Sequence, residues 1–277
     1  MKIGVIGAGT MGAGIARALA VNGDHRILLC DLTPELAEAG LNRLRLKSER
    51  LVDQGRLDRA EAEEALGRIQ VGSIGDCGDR DLVVEAVIED LKIKGDLLAE
   101  LDRLCPPLAL LTTNTSSLPL AELGRGLNRP LTGFHFFNPA ETMKLVEIVV
   151  PLTTPPEIAA KLKDVALGID KTPVVVKDSP GFLVNRLLVP MINEAAGLLA
   201  EGAAEAEDID AAMRLGANHP LGPLALGDLI GLDVCLAVME TLHRELGEDK
   251  YRPHPLLRKM VRHNFLGRKT GRGFFQY

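Results

Sequence analysis

The opening stretch, Lys2-Ile3-Gly4-Val5-Ile6 followed by Gly7-Ala8-Gly9-Thr10-Met11-Gly12, restricts the fold of this chain more than any other segment. The first five residues read as a buried strand, the glycines form G-x-G-x-x-G, and Met11 to Val21 reads as a helix. Strand, glycine turn and helix in that order open a dinucleotide-binding βαβ unit. Gly7 permits the tight turn, Gly9 lets a pyrophosphate approach the backbone, and Gly12 allows helix and strand to pack closely. The helix N-terminus, with Thr10 and Met11 at its start, adds N–H groups and positive potential. Asp31 ends a second strand, Ile27 to Cys30, about 20 residues past the motif, where a carboxylate accepts hydrogen bonds from an adenosine ribose. Its charge repels a 2′-phosphate, so NAD is expected rather than NADP. A tight turn beside a surface Asp is the plainer alternative account.

The rest of the first half continues the α/β alternation. Pro34 to about Arg68 is rich in Leu, Ala, Glu and Arg and is interrupted by Gly55, which predicts two antiparallel helices inserted on the domain. Further strands are expected at Leu82–Glu85, Leu108–Thr112, Gly133–Phe137, Leu145–Val149 and Val174–Val176, with a helix over about Leu91–Leu104. After Asp178-Ser179-Pro180-Gly181 only helical periodicity remains. Leu188, Ile192, Ala195 and Leu199 form one apolar stripe, and helices are expected around Asp208–Leu215, Leu224–Leu246 and Pro255–Asn264. The predicted domains are therefore 1–180 and 181–277.

A net charge of −6 over 277 residues argues against nucleic acid or an anionic membrane as partner. Cys30, Cys77, Cys105 and Cys235 are scattered, which fits neither a zinc site nor a disulfide framework, so no metal and a cytoplasmic location are expected. No apolar run approaches the roughly 20 residues that span a membrane. A strand starting at Lys2 and leading straight into the glycine motif leaves no expected room for a leader.

Two segments carry candidate chemistry. Gly133-Phe134-His135-Phe136-Phe137-Asn138-Pro139 is followed by Met143-Lys144-Leu145-Val146-Glu147-Ile148. A His is the natural base for a hydroxyl proton near neutral pH, and a carboxylate beside it fixes the tautomer and stabilises the imidazolium. His135 and Glu147 share a face if their strands pair antiparallel; a structural His bonded to backbone fits the spacing equally well. Thr112-Thr113-Asn114-Thr115-Ser116-Ser117 follows a strand on the ligand side of the sheet, and a hydroxyl there can bind an alkoxide or carbonyl oxygen. Ser and Thr in such loops also serve as turns and caps. Asn185, just past Pro180-Gly181, can reach such a site or simply satisfy backbone groups.

Together these motifs resemble the short-chain L-3-hydroxyacyl-CoA dehydrogenase family over nearly the whole chain, and particularly its bacterial 3-hydroxybutyryl-CoA members. The likeness extends through Glu85-Ala86-Val87-Ile88-Glu89 with Lys94, Asp178-Ser179-Pro180-Gly181-Phe182-Leu183-Val184-Asn185-Arg186, Pro220-Leu221-Gly222-Pro223-Leu224 and Asp228-Leu229-Ile230-Gly231-Leu232-Asp233. It closes on Gly267-Arg268-Lys269-Thr270-Gly271-Arg272-Gly273-Phe274. The resemblance implies a Rossmann-type NAD-binding domain with a helical-hairpin insertion, followed by a smaller all-α C-terminal substrate and dimerisation domain. It implies His135 as general base, Glu147 as its orienting partner, and Ser116 and Asn185 as the groups holding the substrate's C3 oxygen. Glu89, Lys94, Ser116 and Asn138 fall at contacts to the nicotinamide half of NAD, and Lys269 at another cofactor contact. Ser48 and, more loosely, Arg56 fall at contacts to coenzyme A, where Lys47 and Arg50 complete a basic cluster.

The implied reaction is reversible oxidation of a (3S)-3-hydroxyacyl-CoA to the 3-ketoacyl-CoA by a homodimer. Alternatives are a related dehydrogenase of a free hydroxy or sugar acid and a non-catalytic NAD(H)-binding protein. The sequence departs from the family's usual pattern at Asn22–Arg26, at Ala140-Glu141-Thr142, at Gly168–Lys171 and at Leu221. Glu141 is expected close enough to the site to alter acyl-chain preference.

Overall fold

A computed structural model describes residues 1–21 and 25–277; of the lengthened turn at Asn22–Arg26, residues 22–24 lie outside the described residues. Two compact units divide the chain, Met1–Asp178 and Ser179–Tyr277.

In the first unit, apolar runs of four to six residues form β1 (Lys2–Ile6), β2 (Arg26–Cys30), β3 (Ile69–Gly72), β4 (Leu82–Glu85), β5 (Leu110–Thr113), β6 (Leu131–Phe136), β7 (Leu145–Val150) and β8 (Thr172–Lys177). Among the described residues these make one sheet in the order β3-β2-β1-β4-β5-β6-β7-β8. The pairs from β3 across to β6 are parallel, β7 runs antiparallel to β6, and β8 is parallel to β7. Strand order reverses between β1 and β4, and the crevice beyond the carboxyl ends of such strands is where ligands bind in open α/β sheets. The inner strands β4 and β6 are buried along their whole length, as covering on both faces requires.

The helices of this unit are α1 (Thr10–Val21), α2 (Pro34–Asp53), α3 (Arg59–Gly67), α4 (Leu91–Leu104), α5 (Leu120–Leu123) and α6 (Pro156–Gly168). Their starts are chemically marked. Thr33 Oγ1 accepts from Leu36 N–H before Pro34 at the first position of α2, Asp58 caps α3, and Asp90 accepts from Ile93 N–H to cap α4. One continuous core joins Ile15 and Leu19 of α1 and Leu162 and Val165 of α6 to Ile3, Val5, Leu29, Val84, Phe134 and Ile148 of the sheet.

Several boundaries differ from the sequence reading. The inserted helices end at Gly67 and hand over to the short edge strand β3, which the helical composition up to Arg68 conceals. Leu108 is 90% exposed after Pro106-Pro107, and the strand starts at Leu110. Helix α6, absent from the expected elements, follows Pro155-Pro156 and buries Leu162, Val165 and Ala166 at helical spacing.

The second unit contains α7 (Val184–Ala200), α8 (Ala206–Gly216), α9 (Pro223–Ile230), α10 (Leu232–Leu246) and α11 (Pro255–Arg262). The single helix expected over Leu224–Leu246 is two, broken at Gly231, whose φ of +107° lies outside the range L residues favour. Val189, Ile192, Leu232, Val238, Met239, Leu242 and Leu257 form its core. The last residues are tied to α9 by one buried carboxylate: Asp228 accepts from Phe274 and Phe275 N–H, each at 2.9 Å, and from the Tyr277 hydroxyl at 3.1 Å.

The four cysteines are buried and unlinked. Among the described residues no helix is long and apolar enough to cross a membrane, and no cluster of His, Cys, Asp or Glu suits a metal ion.

Candidate active site

The glycine turn sits at the carboxyl end of β1, against the matching end of β4. Gly7 adopts φ +103°, and a Cβ there would lie 2.5 Å from the Ala86 carbonyl oxygen; a Cβ on Gly12 would run into the Gly7 carbonyl. Gly9 meets nothing within 4 Å, so the turn is open on the side a ligand would approach. Asp31 orders it from β2, with Oδ2 accepting from Ala8 N–H and Oδ1 from Leu32 N–H, each at 2.7 Å. Arg43 of α2, which sequence reading passed over, donates to the Ala8 carbonyl at 2.7 Å and ties the insertion to the same turn. An open glycine turn, a helix N-terminus at Thr10 and a carboxylate at the end of β2 fit the phosphates and ribose of NAD.

The second cluster lies on the neighbouring strands. In the β6–β7 ladder His135 stands directly opposite Glu147. His135 Nδ1 and Glu147 Oε2 are 2.8 Å apart, with the residues 3% and 0% exposed. Beside an ionised Glu147 the imidazole carries its proton on Nδ1 and donates it there, which turns the Nε2 lone pair the other way. Ser116 Oγ lies 3.2 Å from that Nε2. Spacing alone left the partner of His135 open; the register supplies Glu147, because two residues opposed on adjacent strands project to the same face.

The Ser116 loop is held in turn by Glu89. Its Oε1 accepts from Thr115 Oγ1 at 2.6 Å, from Ser116 N–H at 2.9 Å and from Ser117 N–H at 3.0 Å. Burial works against the charge on Glu89, but Lys94 and these hydrogen bonds outweigh it and hold the carboxyl below the usual carboxylate range. Lys94 is 1% exposed and bonds to Glu85 at 2.7 Å, a buried partner the sequence reading did not single out. Asn114 Oδ1 accepts from Phe136 N–H at 2.8 Å and fixes the loop to the His135 strand. Asn138 follows β6 and joins Pro139 through a cis peptide bond.

Other expected residues have different company. Glu141 does not stand alone: its Oε1 pairs with Lys47 of α2 at 2.8 Å. That commits one of the basic residues expected at the coenzyme A phosphates. Lys171, in the lengthened turn before β8, donates to the carbonyls of Ala140 and Met143 at 2.8 Å and of Glu141 at 3.2 Å. Ser48 is buried on α2, and Arg56 is exposed in the α2–α3 turn. In the second unit Asn185 lies in the first turn of α7, and Lys269 pairs with Asp233 at 2.6 Å.

A dinucleotide cradle on the same sheet as a buried His–Glu pair suits an NAD-dependent dehydrogenase. Residues 2–179 match the family described as 3-hydroxyacyl-CoA dehydrogenase, NAD binding domain, and residues 181–277 match the 3-hydroxyacyl-CoA dehydrogenase C-terminal domain. The chain belongs to the 3-hydroxyacyl-CoA dehydrogenase family. It is 47% identical over 279 residues to the probable 3-hydroxybutyryl-CoA dehydrogenase of Bacillus subtilis (strain 168), covering 100% of this chain and 97% of that one. It is 48% identical over 280 residues to the 3-hydroxybutyryl-CoA dehydrogenase of Clostridioides difficile, covering 100% and 99%. The crystal structure of (S)-3-hydroxybutyryl-CoA dehydrogenase from Ralstonia eutropha superposes with a TM-score of 0.94 at 42% identity, covering 100% of this chain and 98% of that one.

Proposed function

We propose that this protein oxidises (3S)-3-hydroxybutyryl-CoA, and related short 3-hydroxyacyl-CoA thioesters, reversibly to the 3-ketoacyl-CoA. The observation that carries the reading is the line from the half-buried Ser116 through buried His135 to buried Glu147, at 3.2 and 2.8 Å. NAD, held at Gly7, Gly9, Thr10, Met11, Gly12 and Asp31, supplies the hydride acceptor. His135 Nε2 takes the hydroxyl proton, and Glu147 stabilises the imidazolium that results. The Ser116 hydroxyl, within reach of the same nitrogen, positions the substrate oxygen. Residues 1–180 serve the cofactor and residues 181–277 the substrate and the dimer. The roles of Asn185, Asn138, Lys269, Ser48 and Arg56 rest on the family likeness.

Steady-state rates with NAD+ and NADP+, on CoA thioesters of increasing acyl length and on the free hydroxy acids, test this reading. NAD+ and the four-carbon thioester should give the highest kcat/KM. Equal rates on free 3-hydroxybutyrate would overturn it. His135→Ala should lower kcat by about 10²–10⁴-fold, the range of general base catalysis, with NADH affinity kept.

The homodimer and the cytoplasm belong to the same proposal. Leu187 and Leu198 of α7 are 72% and 41% exposed, and residues three helical turns apart share a face, which suits a second copy. Buried, unlinked thiols suit a reducing compartment. Elution as a monomer at micromolar concentration would remove the dimer.

A further inference from the structure

The first unit buries a row of charges that the proton transfer does not use. Glu85, the last residue of β4, and Lys94 of α4 are 0% and 1% exposed, and their charged ends meet at 2.7 Å. Three donors meet the Glu85 carboxylate: Val87 N–H at 2.7 Å, the Thr113 hydroxyl at 2.5 Å and Lys94 at 2.7 Å. Lys94 Nζ also donates to the Val87 carbonyl at 3.1 Å and lies 3.4 Å from Glu89 Oε2. The sequence of charges is therefore minus, plus, minus, ending at Glu89, whose side chain is 37% exposed. Replacing a buried ion pair by apolar residues is often neutral or stabilising, so stability alone is a weak reason for this arrangement.

What the row does follows from where it ends. Glu89 backs the Ser116 loop, and Ser116 touches His135. The carbon that loses hydride bears the hydroxyl that His135 deprotonates, so the nicotinamide ring must come close to this loop. That ring is a cation when oxidised and neutral when reduced. A net charge of −1 beside it favours the oxidised form, provided that Lys94 does not cancel Glu89.

We propose that Glu85 is a positioning residue that shares Lys94 with Glu89, so that the row keeps one net negative charge, and so biases the site toward NAD+ over NADH. In the absence of the Glu85 charge, Glu89 is the one counter-ion of Lys94 among the described residues, and the row sums to zero. This inference rests on the dehydrogenase reading given above.

The test is the ratio of dissociation constants for NADH and NAD+, from NADH fluorescence and its displacement by NAD+ on the full chain. Glu85→Gln keeps the shape and removes the charge, and should shift the ratio roughly tenfold toward NADH, the scale of one unit charge several Å away in a part-solvated site. The double variant Glu85→Gln/Lys94→Gln removes both charges, leaves Glu89 uncancelled and should restore the wild-type ratio. A residue that merely holds the fold would weaken both forms alike and would not be rescued. If the single variant fails to fold, the double must still keep the wild-type ratio while Glu89→Gln loses it. An unchanged ratio in Glu85→Gln, or a double that stays shifted, overturns the inference. Failure of the wild-type protein to oxidise any 3-hydroxyacyl-CoA would instead strike the proposed function, since the ratio is read without substrate.

Discussion

Replacing Glu147 by Gln isolates one charge at the centre of the site. The amide oxygen can still accept from His135 Nδ1–H across the 2.8 Å contact, so the ring keeps its orientation and tautomer. What disappears is the carboxylate that faces the imidazolium after proton transfer. Two unit charges about 4 Å apart interact by about 4 kcal/mol at an effective dielectric constant near 20. A hydrogen bond to a charged group contributes about 1.5–3 kcal/mol, part of which the neutral amide retains. The net loss at the transition state is therefore about 3–4 kcal/mol, or about 10²–10³-fold in kcat. Both side chains are almost fully buried, so water does little to replace the lost charge. NADH production at saturating 3-hydroxybutyryl-CoA gives kcat, and NADH fluorescence gives an affinity that should stay within about threefold of wild type, because the glycine turn and Asp31 are untouched. A folded Glu147→Gln protein that keeps kcat within about threefold of wild type would refute the reasoning.

Two further outcomes follow from the first unit. Gly12→Ala places a methyl group against the Gly7 carbonyl, so the turn must shift; overpacking of this kind costs about 1–3 kcal/mol, and calorimetry should find a lower Tm with NADH binding weakened at least tenfold. Asp102 is pushed up by burial but pulled down further by Asn128 and by the Arg129 guanidinium, so its folded pKa lies below the ordinary value of 3.8. Its contribution is present above about pH 4 and lost as pH falls through the lowered folded value. Asp102→Asn should therefore lower Tm at pH 7, and the gap to wild type should shrink as pH falls below about 4; a gap that does not change with pH would count against this.

The cofactor half of the site was legible because it rests on local rules. A strand, three glycines and an acid at fixed spacing need no distant neighbour to be recognised, and the turn at Gly7 and the carboxylate of Asp31 lie where those rules put them. The His135–Glu147 pair was legible only as a condition, since strand pairing is a long-range fact that periodicity does not encode. The burial of Glu85 and its pairing with Lys94 are not legible in the sequence for the same reason. A charge in a sequence suggests surface, and it is the pairing of the two, with Thr113 of β5 and Val87 N–H as further donors, that makes burial tolerable. The break at Gly231 was hidden by helix formers on both sides. Edge strand β3 was hidden by its length of four residues, one of them Gly.

Direct opposition of His135 and Glu147 in the β6–β7 ladder carries an evolutionary consequence. The backbone offset sets the pair, and the connecting residues 137–144 do not. Beyond Asn138, insertions, deletions and changes of composition leave the pair in place as long as the offset survives, which makes this turn a place where related enzymes can diverge. A slip of a single position is different in kind: it would set Val146 or Ile148 opposite the imidazole and leave no carboxylate in reach. Drift in the turn is thus permitted by the same ladder that forbids drift in the strands.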